Sequence, residues 1–142
     1  MYWAGIDPGE HTGVAMYDGA QLVEVTTVQI HRALQMVASF VEVAQANGIP
    51  VKVVFEDARK RRWLPSEKNV SEYRGRLMGA GSVKRDCTIW EDFLKDLGVD
   101  YVAQAPRAGM TKLSAEAFAR LTGWKGRTSN HARDAAMLVY GR

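Results

Sequence analysis

W-A-G-I-D-P-G-E-H-T-G-V-A, Trp3 to Ala15, is an apolar run that stops at a carboxylate, turns, and resumes as a second apolar run. Such a pattern reads as a strand buried on both faces, then a tight turn and a second strand. Along Tyr2 to Asp7 the alternation places Trp3, Gly5 and Asp7 on one face and Tyr2, Ala4 and Ile6 on the other. Asp7 therefore stands at the rim of a core. A carboxylate there is costly unless something cationic meets it.

The neighbouring segments extend this unit. Thr12 to Tyr17 reads as a second strand, Asp18-Gly19 as a hairpin turn, and Gln21 to Val28 as a third strand rich in β-branched residues. From His31 the period changes to a helical one, with Ala33, Leu34, Val37, Phe40, Val41 and Ala44 on one stripe, stopped by Asn47-Gly48 and Pro50. Val51 to Asp57 is a fourth, strongly apolar strand that also ends in carboxylates. A strand, a helix and a strand imply a crossover, and so a strand parallel to an earlier one. Beside the first strand, it would bring Asp7 and Glu56 to one sheet edge. Alternation puts Glu56 and Asp57 on opposite faces.

The remainder reads as helix, strand and two more helices. A long helix lies between Asn69 and Leu97, with Gly79-Ala80-Gly81 as a candidate break. Its later half turns Val83, Cys87, Trp90, Phe93, Leu94 and Leu97 to the core. Val99 to Ala103 is a fifth strand, Ser114 to Leu121 a short helix, and Ser129 or Asn130 caps a last helix to about Tyr140. The expected class is α/β, a five-stranded mixed sheet of three antiparallel strands followed by parallel crossovers, flanked by helices, in one domain over 1–142.

Composition narrows the function classes. The 142 residues carry a net charge of +3 and a single cysteine, Cys87, which rules out an intrachain disulfide or a cysteine-rich zinc site. No apolar run is long enough to span a bilayer, and no leader pattern opens the chain, so a cytoplasmic protein is expected. The basic residues cluster at Arg59-Lys60-Arg61-Arg62-Trp63, at Lys84-Arg85, at Lys112, and at Lys125 to Arg127. Such clusters are ordinarily solvated surface. Lying just past a carboxylate-bearing strand end, the first of them is placed to meet a phosphate backbone. Trp63 would stack on an unpaired base, wedge into a junction or anchor its loop to the core.

On the last helix, His131 and Asp134 are three residues apart and share a face. With Asp7 and Glu56 they form a set suited to a hard cation such as magnesium. Two such ions ~4 Å apart can activate a water and stabilise a departing phosphodiester oxygen. Acidic residues beside a polyanion repel it, and metal ions with a basic rim resolve that conflict.

Three segments in this order, G-I-D-P-G-x-x-T-G at Gly5 to Gly13, V-V-F-E-D at Val53 to Asp57 and H-x-x-D-A-A at His131 to Ala136, resemble the RuvC family of Holliday-junction resolvases. The resemblance spans nearly the whole chain. It implies an RNase H-like fold and a homodimer that cleaves branched DNA with two magnesium or manganese ions per subunit. By motif the family's acidic residues fall on Asp7, Glu56 and Asp134. His131 takes a position where many relatives have Asp, as a nitrogen ligand or a water-orienting group. The family's basic residue ahead of the last helix, which meets the scissile phosphate, corresponds to Lys112 or Lys125. The chain is shorter than the cellular resolvases, which points to a phage or prophage version acting in a bacterial or phage-infected cell, with a broader choice of substrate. Three other readings stand beside this one. The first is a catalytically silent nucleic-acid-binding module of the same fold. The second is a nucleotide-phosphate-binding domain like those of actin and the sugar kinases, whose D-x-G turn is similar. The third is a nuclease for RNA–DNA hybrids or other branched structures.

Overall fold

A computed structural model describes residues 1–61, 70–107 and 112–142. Strands β1 (Tyr2–Asp7), β2 (His11–Asp18) and β3 (Gln21–Gln29) form an antiparallel meander. Helix α1 (Ile30–Ala46) then carries the chain across to β4 (Val51–Glu56), which pairs parallel with β1. After a 3-10 turn, Ala58–Lys60, the long helix α2 (Val70–Leu97) leads to β5 (Asp100–Gln104), parallel to β4. Helices α3 (Ala115–Thr122) and α4 (Asn130–Val139) close the fold. The sheet has five strands in the order β3-β2-β1-β4-β5. The expected mixed sheet, its antiparallel half and its parallel crossover are therefore present. Among the described residues no helix is long and apolar enough to cross a membrane.

Each sheet face is covered by its own helices because the strands are apolar on both sides. Ala4, Ile6, Val53 and Phe55 pack against Ala33, Val37 and Val41 of α1 and Cys87, Trp90 and Leu94 of α2. The helical spacing of those residues is what builds α1 and the second half of α2. The opposite face buries Ala15, Tyr17 and Val54 under Phe118 of α3 and Ala132, Ala135, Ala136 and Val139 of α4. Burying each large aliphatic or aromatic side chain stabilises the fold by roughly 2 kcal/mol. Ser114 and Ser129 cap α3 and α4 through hydrogen bonds from Ala117 N and Ala132 N.

Several details of the elements differ from expectation. β2 begins at His11, because Thr12 Oγ1 donates to Gly9 O at 2.8 Å and tightens the turn before it. β4 ends at Glu56, because Asp57 turns to cap the 3-10 turn instead of extending the strand. α4 ends at Val139 with Tyr140 as its cap, as expected. α2 continues without a break through Gly79-Ala80-Gly81, and residues 74–82 of it are all exposed.

Candidate active site at the carboxyl ends of β1 and β4

The two parallel strands end side by side. Ile6 pairs with Phe55, so Asp7 and Glu56 are the next residues in register and face the same side. That side is the one covered by α4. Glycines set how closely α4 lies on it. A Cβ at Gly5 would collide with the carbonyl of Ala135, and one at Gly13 with the carbonyl of His131. Bare backbone at both positions lets α4 rest directly on β1 and β2. Gly13 is also the pairing partner of Asp7. The first turn of α4 is thereby set over the end of β1, and the spacing of His131 and Asp134 brings both to the site.

The groups that meet there form two contacts. His131 Nδ1 lies 2.9 Å from Asp7 Oδ2, across 124 residues of sequence. Lys112 Nζ lies 3.2 Å from Asp134 Oδ2. Asp7 and Asp134 keep only 16% and 29% of their side-chain surface exposed, whereas His131 and Lys112 are more than half exposed. Burial pushes the Asp7 carboxyl above its ordinary pKa, the His131 hydrogen bond and charge pull it back, and the nearby Asp134 charge adds to the rise. Glu56 is also raised, first by burial, then by the charges of Asp7 and Asp134, with Arg61 and Lys112 opposing. Asp134 thus lies close enough to disfavour charge on Asp7, and both lie close enough to disfavour charge on Glu56.

The donor chemistry fits a hard divalent cation. Three carboxylates with surplus negative charge, one imidazole and a half-buried setting are what such an ion relieves. The side chains do not form a ready-made cage. Among the described residues no three His, Cys, Asp or Glu side chains are grouped so as to hold a metal ion as they stand. Lys112 and His131 are instead seated on the carboxylates. The Lys112–Asp134 pair is half exposed and worth ~0.5 kcal/mol, so a stronger cation or a phosphate displaces it easily.

The basic residues separate into two groups. Arg59, expected at the DNA backbone, is occupied within the fold. Its Nε and Nη2 donate to Asp57 Oδ1 and Oδ2 at 2.8 Å each, and Nη2 also meets Glu91 Oε1 at 3.2 Å. Asp57 is 1% exposed, and Arg59 holds its carboxyl below the ordinary carboxylate range. The physical reason is alternation, which sends Asp57 to the α2 face, where a buried carboxylate needs a partner. Lys60 Nζ donates to the Ala103 carbonyl at 2.6 Å and ties the turn to β5. Arg61 is exposed, and its charge reaches Glu56. Lys84 and Arg85 are exposed on α2, and Lys125 and Arg127 are exposed between α3 and α4. Arg62 and Trp63 lie outside the described residues. Of the two lysines ahead of α4, the ion pair with Asp134 is made by Lys112.

Two features escaped the sequence reading. Cys87 Sγ donates to the Glu56 carbonyl at 3.6 Å, pinning the end of β4 to α2. Arg133 is only 8% exposed in the middle of α4. Its signal was an arginine three residues before Ala136, on the stripe that otherwise holds the apolar residues of that helix. No protein-family model, no curated protein and no solved structure matches this chain.

Proposed function

We propose that this protein is a metal-dependent, structure-selective DNA endonuclease of the RNase H-like, RuvC-like type. One observation carries the reading: Asp7, Glu56, His131 and Asp134 come from three separate stretches of the chain and gather at one sheet edge, flanked by Lys112 and Arg61. This is the set that the resemblance to the resolvases singles out. Asp7, Glu56 and Asp134 would hold magnesium or manganese, with His131 as a nitrogen ligand or as the group that orients Asp7. The bound cations would supply water activation and charge neutralisation in phosphodiester hydrolysis.

The chain's own residues supply the rest. Asp7 and Glu56 sit on rigid strand ends, so their carboxylates lose little freedom on binding. His131 fixes the Asp7 oxygen that faces it. Lys112 and Arg61 offset the acidic cluster and give an incoming phosphate a positive contact. Lys84, Arg85, Lys125 and Arg127 are exposed charges that extend this contact along a duplex arm. In the reaction, water attacks phosphorus, the bond to the 3′ oxygen breaks, and the products carry a 5′-phosphate and a 3′-hydroxyl. Four-way junctions are the substrate the resemblance implies, cut by a homodimer in which each subunit cleaves one strand.

A panel of four-way junction, flap, replication fork, RNA–DNA hybrid and plain duplex, each with and without magnesium, tests this. Magnesium-dependent nicking of a branched member that Asp7→Ala abolishes is the expected result. Cutting that survives in Asp7→Ala would end the proposal. A second reading is favoured by the seating of Lys112 and His131 on the carboxylates without a closed cage. In it the same edge binds branched nucleic acid without cutting. Binding to the panel with no cleavage in magnesium or manganese selects that reading.

A further inference from the structure

Arg133 lies between His131 and Asp134 in sequence but is 8% exposed and makes its hydrogen bonds to Leu113, Thr128 and Asn130. Its guanidinium is engaged on three of its nitrogens. Nε donates to Leu113 O at 2.9 Å, Nη1 to Thr128 O at 2.6 Å and Thr128 Oγ1 at 2.9 Å, and Nη2 to Asn130 Oδ1 at 2.5 Å. Among the described residues these partners are three residues in two stretches of chain, and none is a carboxylate. A buried guanidinium without a counter-charge is an expensive way to fill a helix face, and an apolar side chain would fill it more cheaply. A planar fork with five donors does what an apolar side chain cannot, which is to hold several acceptors in fixed relative positions.

What it holds is informative. Leu113 directly follows Lys112, the residue whose ammonium meets Asp134 at 3.2 Å. Thr128 and Asn130 flank the Ser129 cap of α4. Successive helical residues point ~100° apart, so α4 can give Asp134 to the site and Arg133 to the clamp from adjacent positions. Lys112 itself is 64% exposed, and its single half-exposed ion pair is too weak to place it. The backbone tether at Leu113 is the stronger restraint.

We propose that Arg133 is a positioning residue that holds Lys112 over the Asp134 carboxylate, and so sets where the scissile phosphate meets its cation. The catalytic part of this rests on the endonuclease reading, whereas the tether itself does not. Arg133→Lys keeps a buried charge but offers one ammonium for four acceptors. The measurements are thermal melting, amide hydrogen exchange at 112–114 and 128–130, and kcat and KM on whichever substrate of the panel is cut. They are made on wild type, Arg133→Lys, Lys112→Ala and the double variant. Arg133→Lys should stay folded, exchange faster at 112–114, and lose about tenfold in kcat with KM nearly unchanged. The double variant should be no slower than Lys112→Ala, because both changes remove one interaction. Additive losses, or full kcat in Lys112→Ala, would overturn the proposal. If nothing in the panel is cut, the endonuclease reading fails by itself and exchange still decides the tether. Faster exchange at 112–114 in Arg133→Lys upholds it, and unchanged exchange overturns it.

Discussion

Asp7 answers two opposed demands. Burial and the Asp134 charge disfavour its ionised form, yet a role at a cation requires that form. A carboxyl whose pKa is higher folded than unfolded opposes folding at neutral pH, and the opposition fades as pH falls toward the ordinary value of 3.8. Asp7→Asn keeps an oxygen for His131 and removes the charge. It should raise stability by about 1 kcal/mol, or ~4 °C in Tm at pH 7, while abolishing cleavage. A melting series from pH 7 to pH 4 checks the sign, since the gain should shrink with acid. Asp57 is the converse case. Arg59 lowers its pKa, so it stabilises the fold above the ordinary carboxylate range, and this is lost only as pH falls through the depressed value. Arg59→Ala should cost about 2 kcal/mol, below the range for a fully buried pair because Arg59 is 29% exposed. If Arg59 were chiefly a DNA contact, that variant would instead weaken binding and flatten its salt dependence with little change in Tm.

At the scale of elements, the packing of α4 on β1 and β2 makes the site. Gly5 and Gly13 belong to the same motif as Asp7, and both lie under carbonyls of α4. Gly13→Ala should destabilise by about 3 kcal/mol, because backbone cannot yield as a flexible side chain does. Its effect on function should exceed that of an equally destabilising change elsewhere in the core, since the displaced carbonyl is that of His131. Urea unfolding with cleavage assays on Gly13→Ala and on a core control such as Leu94→Ala separates the two effects. Leu94 is fully buried on the opposite face.

For the whole molecule, two properties follow from how charge and apolar surface are distributed. A divalent cation that binds the carboxylate edge of the folded chain but not the unfolded chain stabilises it, by about 2.7 kcal/mol at a free concentration a hundredfold over Kd. Magnesium or manganese should raise the Tm of wild type and leave that of Asp7→Asn almost unchanged, as differential scanning fluorimetry would show. The second property is the 28-residue helix α2, ~42 Å long, whose residues 74–82 are exposed. Leu77, Met78 and Ile89 are large apolar residues exposed on it, and Met78 is 76% exposed. This is where the proposed homodimer would form. Met78→Asp should leave a monomer by sedimentation and convert paired incisions in a junction to single nicks.

The sequence alone determined the five strands, the antiparallel first half of the sheet and the strand ends that carry Asp7 and Glu56, because apolar alternation and helical period are local and strong, whereas the placing of β4 between β1 and β5 came from the tertiary structure. It also marked His131 and Asp134 as neighbours on one helix face. It did not determine which basic residues face the site. Arg59 and Lys60 read as a cationic run, yet they serve Asp57 and Ala103. Lys112 and Lys125 were equal candidates until the chain before α3 was placed beside Asp134. Arg133 gave no warning beyond a charge on an apolar stripe. Long charged side chains take the partners that the tertiary structure brings within reach, and some of those, such as Ala103 for Lys60 and Asp134 for Lys112, lie tens of residues away, beyond what any local pattern encodes.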